Sequence, residues 1–209
     1  MKYLLILSCL LFTSFGWSKD FNWYDLEERN GLYYEKSKNI LFTGEVSGKE
    51  QGKIIKGKRE GEWLEYWDNG ELYSRKIYID GKYNGEYFSY YESGQLNVNV
   101  TYKDGKKNGV FLDYYESGKL NWKENFIEGL IEGESLIYYE TGQLWYKTNF
   151  KDGKRHGMYL KYNSNGQLIE KKIYNEGNID GEWLRYFDDG SLIEKKIYKN
   201  GKLIETIKP

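Results

Sequence analysis

The stretch GEYFSYYESGQLNVNVTYKDGKKNG, residues 85–109, decides the fold of this chain. Residues 85–91 are rich in aromatic side chains, which pack well on a pleated strand. Residues 92–95 include Gly94, which can adopt the positive φ that a tight turn requires. Residues 96–102 suit a second strand, and Asp104 with Gly105 then provides a second turn. The stretch therefore predicts a β-hairpin that leads directly into another one.

The glycines of this stretch recur with a fixed step of 24 residues. We count positions within each unit from its first glycine, so that two further glycines fall at positions +9 and +20. Such self-similarity at a fixed period is the signature of a repeat fold, and it predicts about six 24-residue units, numbered 1 to 6 below. The structural repeat glycines are Gly61, Gly70, Gly81, Gly85, Gly94, Gly105, Gly109, Gly118, Gly129, Gly133, Gly142, Gly153, Gly157, Gly166, Gly177, Gly181, Gly190 and Gly201.

Further positions of the unit are equally regular. Position +5 is always Tyr, position +11 is always Leu, and position +17 is always Tyr or Phe. Because side chains alternate along a strand, we expect positions +3 and +5, with +11 and +17, to form the better-buried face. The aromatic side chains at +2 and +6 are then expected on the opposite face, where exposed rings usually mark interaction sites. The candidate binding residues are Trp63, Trp67, Tyr87, Tyr91, Phe111, Tyr115, Tyr139, Tyr159, Trp183 and Phe187.

The repeat predicts an all-β fold class, an elongated single-layer antiparallel meander of stacked β-hairpins. One hairpin is barely stable alone, and stacking buries each unit against the next. Residues 61–204 hold the six repeats, and residues 205–209 form a C-terminal tail. Residues 19–60 form an N-terminal cap with degenerate repeats, in which Asp25 to Arg29 is expected to form a short helix. Ile204 to Pro209 is expected to close the other end of the sheet.

The first 18 residues have the three-part pattern of a secretory signal peptide. Lys2 is followed by an apolar segment from Leu4 to Phe15, and small residues precede a predicted cleavage after Ser18. Two alternatives are a lipoprotein-type cleavage that leaves Cys9 lipid-bearing, and an uncleaved anchor. Since Cys9 is the only cysteine, the cleaved chain has no thiol. We therefore expect export to the periplasm, to the cell surface or out of the cell.

Composition argues against most catalytic and nucleic-acid-binding classes. The formal net charge is −1, with basic and acidic residues interspersed, so no nucleic-acid partner is expected. The only histidine, His156, lies in a variable turn without an oriented partner. Carboxylates such as Glu92 and Asp104 recur once per unit as turn residues, and no Cys or His cluster is present for a transition metal. The sequence predicts no catalytic residues, no metal site and no cofactor.

The unit that starts at Gly61 resembles a known repeat. Its sequence GEWLEYWDNGEL, residues 61–72, continued by Tyr78, Gly81, Lys82 and Gly85, resembles the MORN repeat. More narrowly, it is similar to the bacterial MORN-variant repeat of YwqK-family proteins, which are often labelled antitoxin-like. The resemblance covers about residues 40–204. It implies an elongated sheet of stacked hairpins and a binding or scaffolding role, not catalysis.

These features together predict an exported, non-catalytic repeat scaffold. Its expected role is protein–protein interaction at the cell envelope or outside the cell, so its expected partner is another protein. One alternative is a repeat protein that binds a glycan or a membrane surface, since aromatic rings suit sugars and the family resemblance suggests membranes. Another alternative, implied by the resemblance, is an antitoxin-like partner of a toxin.

Overall fold

The computed structural model describes residues 21–208, which form 21 β-strands and one 3₁₀ turn, Trp23–Asp25. The predicted signal peptide lies outside the described residues. The strands are β1 Phe21–Asn22, β2 Leu26–Arg29, β3 Leu32–Glu35, β4 Ile40–Leu41, β5 Gly44–Ser47, β6 Glu50–Ile55, β7 Lys58–Tyr66, β8 Leu72–Ile79, β9 Lys82–Tyr83, β10 Gly85–Tyr90, β11 Leu96–Lys103, β12 Lys106–Tyr114, β13 Leu120–Ile127, β14 Leu130–Ile131, β15 Gly133–Tyr138, β16 Leu144–Lys151, β17 Lys154–Tyr162, β18 Leu168–Asn175, β19 Asn178–Tyr186, β20 Leu192–Lys199 and β21 Lys202–Ile207.

Within residues 21–208, 18 of these strands form one long sheet. From β5 to β21 the strands follow chain order, and neighbours are antiparallel. β9 and β10 both pair with β8, so together they form one interrupted strand. β14 and β15 both pair with β13 and form another. The predicted all-β meander of stacked hairpins is confirmed.

Two kinds of turn connect the strands. Within a unit, the amide of Tyr91 donates to the carbonyl of Gln95 at 2.9 Å, and Gly94 has φ +79° at the end of a three-residue loop. Between units, Asp104 and Gly105 both have positive φ, +50° and +82°, as a two-residue type I′ turn requires. This turn has the twist of the strands it joins, which lets the sheet continue without interruption.

The register of the hairpins overturns the predicted assignment of faces. Each first glycine lies opposite residue +17, as Gly61 does with Tyr78, so positions +2 and +17 project from the same side of the sheet. Rings at these positions touch, with centroids 6.1 Å apart for Trp63 and Tyr78. A β-bulge on the second strand, where Tyr73 at position +12 is the extra residue between Leu72 and Ser74, interrupts the alternation that the prediction carried from +11 to +17, so these two positions do not share a side. Placing the +2 rings opposite the +17 rings was therefore wrong.

The N-terminal cap has its own topology. β1 pairs in parallel with β5, while β2, β3 and β4 form a separate three-stranded sheet. The helix predicted over Asp25 to Arg29 is wrong, because Leu26–Arg29 is a strand that pairs with β3 across the turn at Asn30 and Gly31. At the other end, β21 pairs with β20, and every residue of β21 is exposed.

Candidate binding face

One side of the sheet carries most of the buried rings, and we call it the aromatic face. It is defined by positions +2, +13, +15 and +17 of each unit and by the residue two places before each first glycine. Trp63, Tyr78, Val100, Phe111 and Phe126 lie on it and are at most 8% exposed. This face therefore contains the core of a sheet that has no second layer along most of its length.

The N-terminal cap packs on the aromatic face of unit 1. Leu26, Phe42, Val46 and Ile54 form one buried cluster with the unit 1 rings, and the Trp23 ring lies 5.7 Å from that of Trp63. The cap residues thus show what this face accepts, which is apolar and aromatic side chains.

A partly buried cation lies at the centre of this contact. The guanidinium carbon of Arg59 is 4.4 Å from the centroid of the Trp63 ring and 5.4 Å from that of Trp23. Arg59 also donates to the hydroxyls of Tyr33 and Tyr78, at 3.1 and 3.2 Å. The rings attract the cation through their negative faces, so Arg59 joins the cap to unit 1.

Burial declines along the aromatic face towards the C-terminus. In the part of the chain that the structure describes, Thr148, which is 7% exposed, is the last buried residue. Beyond it, the rings of Tyr159 and Tyr174 lie 6.2 Å apart and those of Trp183 and Tyr198 lie 5.8 Å apart, all of them half-buried. Positions +2 and +17 form columns of rings along the sheet. The cap covers these columns in unit 1, whereas their rings are partly exposed in units 5 and 6.

Cations of the chain lie over many of these rings. Lys172 Nζ is 5.1 Å from the Tyr159 centroid and 4.6 Å from that of Trp183, while Lys196 Nζ is 4.8 Å from Trp183. The Trp183 indole N–H also donates to Glu170 at 2.7 Å. Rings, lysines and carboxylates thus alternate on the face, which gives it both apolar area and polar groups.

Unit 4 interrupts the ring column. Position +2 is aromatic in the other five units, but in unit 4 it is Ser135, which is 4% exposed. A cavity of about 400 Å³ opens at this place. Its walls are the rings of Trp122, Tyr146, Phe150 and Tyr159, the side chains of Ile131 and Ile137, and the polar groups of Glu124, Ser135, Thr148 and Arg155.

The polar groups of this cavity have few partners. Ser135 Oγ donates to Glu124 Oε1 at 2.8 Å and accepts from the Trp122 indole N–H at 3.3 Å. Burial raises the pKa of Glu124, although the hydrogen bonds of Ser135 and Trp122 and the charge of Lys107 act in the opposite direction. Burial also raises the pKa of Tyr159. Thr148 Oγ1 is buried and has no hydrogen-bond partner in the described chain.

The rings at position +6 have a different role from those at +2. The hydroxyls of Tyr91, Tyr115 and Tyr139 donate to the carbonyl at position +5 of the following unit, at 2.7, 2.7 and 3.0 Å. Trp67 does the same with its indole N–H at 3.1 Å. These side chains form a hydrogen-bond ladder that links consecutive units along one border of the sheet.

The ten candidate binding residues therefore separate into groups. Trp63 and Phe111 are buried in the core, and Tyr87 is half-buried beside them. Tyr159 lines the cavity, Trp183 lies on the open part of the aromatic face, and Phe187 is 55% exposed. The other four, Trp67, Tyr91, Tyr115 and Tyr139, form the ladder. The ten do not make one continuous surface, and their binding role stays a prediction.

Sequence reasoning missed two features of this face. Ser135 is visible in the sequence as the one non-aromatic residue at position +2, and that departure is the signal for the cavity. The residue two places before the first glycine alternates between a cation in units 1, 3 and 5 and an uncharged residue in units 2, 4 and 6: Arg59, Tyr83, Lys107, Ile131, Arg155 and Ile179. Lys107 and Arg155 lie over ring pairs as Arg59 does.

The turns offer little chemistry. His156 lines a small surface groove of about 170 Å³ with Lys151, Asp152, Lys154 and Glu176. Among residues 21–208 no three His, Cys, Asp or Glu side chains are grouped so as to hold a metal ion. No helical segment of these residues has the length and apolar character needed to cross a membrane.

Comparison with known proteins identifies the repeat. No curated protein matches the chain. The family described as MORN repeat variant matches six segments, which together make up more than half of the chain: residues 59–80, 83–104, 107–127, 131–152, 155–176 and 179–200. These segments coincide with the six units of the sheet. The chain therefore belongs to the MORN repeat variant family, whose members are generally non-enzymatic repeat scaffolds for protein or membrane interaction.

Proposed function

We propose that this chain is an exported, non-catalytic scaffold that binds another protein on the aromatic face of units 5 and 6. One observation carries the proposal: the N-terminal cap covers this face in unit 1, while the same ring columns are half-exposed around Tyr159, Tyr174 and Trp183. Half-exposed aromatic side chains with polar neighbours are typical of protein interfaces, where they supply contact area and orienting hydrogen bonds. Export rests on the signal-peptide pattern of residues 1–18.

The contact made by the cap indicates the chemistry of the partner. In unit 1, aromatic and aliphatic side chains cover the rings, and Glu50 pairs with the central Arg59. A partner on units 5 and 6 is expected to present a similar mixture, with apolar side chains over the rings and acceptors for Lys172 and Lys196. Such an interface needs about 1,000 Å² or more of buried surface to be specific.

The test uses the tagged full-length chain, expressed in its own host and crosslinked before recovery. We expect a stoichiometric protein partner, identified by mass spectrometry. A variant with Tyr159→Ser, Tyr174→Ser and Trp183→Ser should lose it, while Lys147→Ser with Lys171→Ser on the other side of the sheet should keep it. Retention of the partner by the ring variant would show that the aromatic face is not the binding surface.

The recovered partner also separates the alternatives. A toxin would support the antitoxin-like function implied by the YwqK-type repeat, and recovery of envelope glycan or lipid without protein would support a surface-binding function instead. Export is tested on the same sample, because the N-terminal residue of the recovered chain should be Lys19. A chain that still begins at Met1 in the cytoplasm would contradict export.

A further inference from the structure

The cavity at Ser135 has the size and lining of a small-molecule site. Ligand sites commonly measure about 300–1,000 Å³ and combine apolar walls with a few polar groups. Here the volume is about 400 Å³, and four rings, those of Trp122, Tyr146, Phe150 and Tyr159, form most of the apolar wall. The missing ring of unit 4 therefore leaves a concave place on an otherwise ring-lined face.

The polar groups of the cavity have unused hydrogen-bond capacity. Thr148 is 7% exposed and its Oγ1 has no partner, which is costly for a buried hydroxyl. Glu124, 2% exposed, accepts from Ser135, but it forms no ion pair with any described residue. The Arg155 guanidinium lies over the rings of Tyr159 and Tyr174 at the exposed rim of the cavity, and its five N–H donors make no hydrogen bond within residues 21–208, so they are available to a ligand. A ligand that both donates and accepts can bond to all three groups, and it would supply the partner that the buried Thr148 hydroxyl lacks.

Charge decides between classes of ligand. A cation would pair with Glu124 but would face Arg155, and the charge of Lys107 already acts on Glu124. An anion would pair with Arg155 but would face the Glu124 carboxylate. The two charges of the cavity offset each other, so a neutral molecule with several hydroxyl groups suits it best. Its hydroxyls can donate to Glu124 and accept from Arg155, and its C–H faces can be buried against the rings.

We propose that the Ser135 cavity binds one ring of a neutral sugar, with Glu124 and Arg155 as the hydrogen-bonding residues and Trp122 and Tyr159 as ring walls. The cavity shares Tyr159 with the protein interface proposed for units 5 and 6, but Glu124 and Ser135 belong to the cavity alone, so variants of these two residues let either proposal fail without the other. It would give a repeat scaffold a second kind of contact, to a glycan surface.

The test is a titration of the purified full-length chain, labelled with ¹⁵N, with the methyl glycosides of glucose, galactose, mannose and N-acetylglucosamine. The indole N–H of Trp122 donates to Ser135 at the cavity floor, so its resonance should shift on binding. The indole of Trp63, fully buried in unit 1, should not move. A Trp122→Phe variant assigns the resonance.

Three variants make the test specific. Ser135→Phe restores the ring that other units carry and should abolish binding by filling the cavity. Glu124→Gln keeps the shape and should weaken binding about tenfold or more, because it removes a charged acceptor. Glu134→Gln is the matched control, because Glu134 pairs with Lys147 and does not line the cavity, and it should bind as the parent chain does.

The proposal would be overturned by three results. One is a Trp122 resonance that does not respond to any of the four glycosides up to about 100 mM, a concentration that would saturate a site with a Kd of about 1 mM. Another is binding that survives Ser135→Phe, or, if that variant does not fold, binding that is equal in Glu124→Gln and Glu134→Gln. The third is a Trp122 response to the peptide acetyl-Gly-Lys-Gly-amide that exceeds the response to every glycoside, which would assign the cavity to a basic side chain instead.

Discussion

Arg59 and Glu50 form a two-pronged ion pair beneath the N-terminal cap. Arg59 Nη1 pairs with Glu50 Oε1, and Nη2 donates to Oε2 at 3.1 Å, while the side chains are only 18% and 23% exposed. Glu50 belongs to β6 of the cap, and Arg59 to β7, the strand that continues into unit 1. Burial alone lowers the pKa of Arg59, but Glu50 and the neighbouring tyrosines more than offset this and raise it. The pair therefore fixes the cap to the first repeat while fully charged.

Removing this arginine should destabilise the protein strongly. Arg59→Ala leaves Glu50 partly buried without its partner and removes a cation from between the rings of Trp23 and Trp63, so we expect a loss of about 2–4 kcal/mol in the free energy of unfolding. Arg75→Ala is the control, because the Arg75 and Glu62 side chains are 35% and 52% exposed, and it should cost less than about 1 kcal/mol. Urea denaturation followed by tryptophan fluorescence measures both. Equal losses in the two variants would contradict the role given to Arg59.

The ladder at position +6 should contribute to stability one hydrogen bond at a time. Tyr115→Phe removes the bond from its hydroxyl to the carbonyl of Tyr138, and we expect a loss of about 0.5–1.5 kcal/mol. Tyr24→Phe, at a side chain that is 86% exposed, should cause no measurable change. Urea unfolding curves of Tyr91→Phe and Tyr115→Phe, alone and combined, test whether the losses add. A combined variant as stable as the parent chain would show that the ladder does not hold the units together.

Glu124 should make stability depend on pH in an unusual direction. Its pKa lies above the ordinary value of 4.5 because it is buried. Above pH 4.5 the folded chain then holds this proton more tightly than the unfolded chain does, so the free energy of unfolding falls as the pH rises through the raised pKa. The contribution of Glu124 to the free energy of unfolding is fully present below pH 4.5 and is lost above its pKa in the folded chain.

Two variants isolate this effect in urea titrations between pH 3 and pH 8. Glu124→Gln lacks the carboxyl, so its stability should rise relative to the parent chain as the pH increases from about 4.5. The stability of Asp80→Asn relative to the parent chain should instead rise as the pH falls. Lys58 lowers the pKa of Asp80 below its ordinary 3.8, so the stability that Asp80 contributes to the parent chain is lost at low pH. If the free energies of unfolding of Glu124→Gln and the parent chain differed by the same amount at every pH, burial would not raise the pKa of Glu124.

Gly52 should tolerate no side chain, for a steric reason. A Cβ atom at Gly52 would lie 2.5 Å from the Trp63 ring, so Gly52→Ala should cost about 1–3 kcal/mol through overpacking. Gly70 has open space around it but a φ of +87°, so Gly70→Ala should cost about 1–2 kcal/mol through backbone strain alone. Adding Trp63→Phe should reduce the cost at Gly52 and leave that at Gly70 unchanged, as a double-mutant cycle will measure. Additive effects of Gly52→Ala and Trp63→Phe would contradict the steric account.

The architecture could be read from the sequence because its turns are marked by glycine. Asp104 and Gly105, like their counterparts in other units, show the two-residue turn directly. The faces could not be read in the same way. A bulge at Tyr73 of the second strand shifts the register by one residue, and alternation carried through it places Leu72 on the same side as Tyr78, which is wrong.

The candidate site was harder to predict than the fold, because it depends on departures from the repeat. The regular columns drew attention to rings such as Trp63, which the N-terminal cap buries, and Tyr115, which bonds to the next unit. The cavity lies where the pattern fails, at Ser135, and its charged group Glu124 occupies a position that is lysine in units 1, 5 and 6. Only packing shows that these two residues meet across neighbouring strands.

The position +6 ladder bears on how such a chain can change length during evolution. Each tyrosine of the ladder donates forward, and the unit that contains it accepts from the unit before, so a whole unit can be gained or lost without leaving an unpaired group at the new junction. The alternation of cations before the first glycine adds a further condition, because Arg59, Lys107 and Arg155 occur in every second unit. Duplication of two consecutive units preserves this pattern. A single extra unit would instead place two units with a cation, or two units without one, next to each other. Relatives that differ by an even number of units should therefore be the ones that keep the ring-and-cation order.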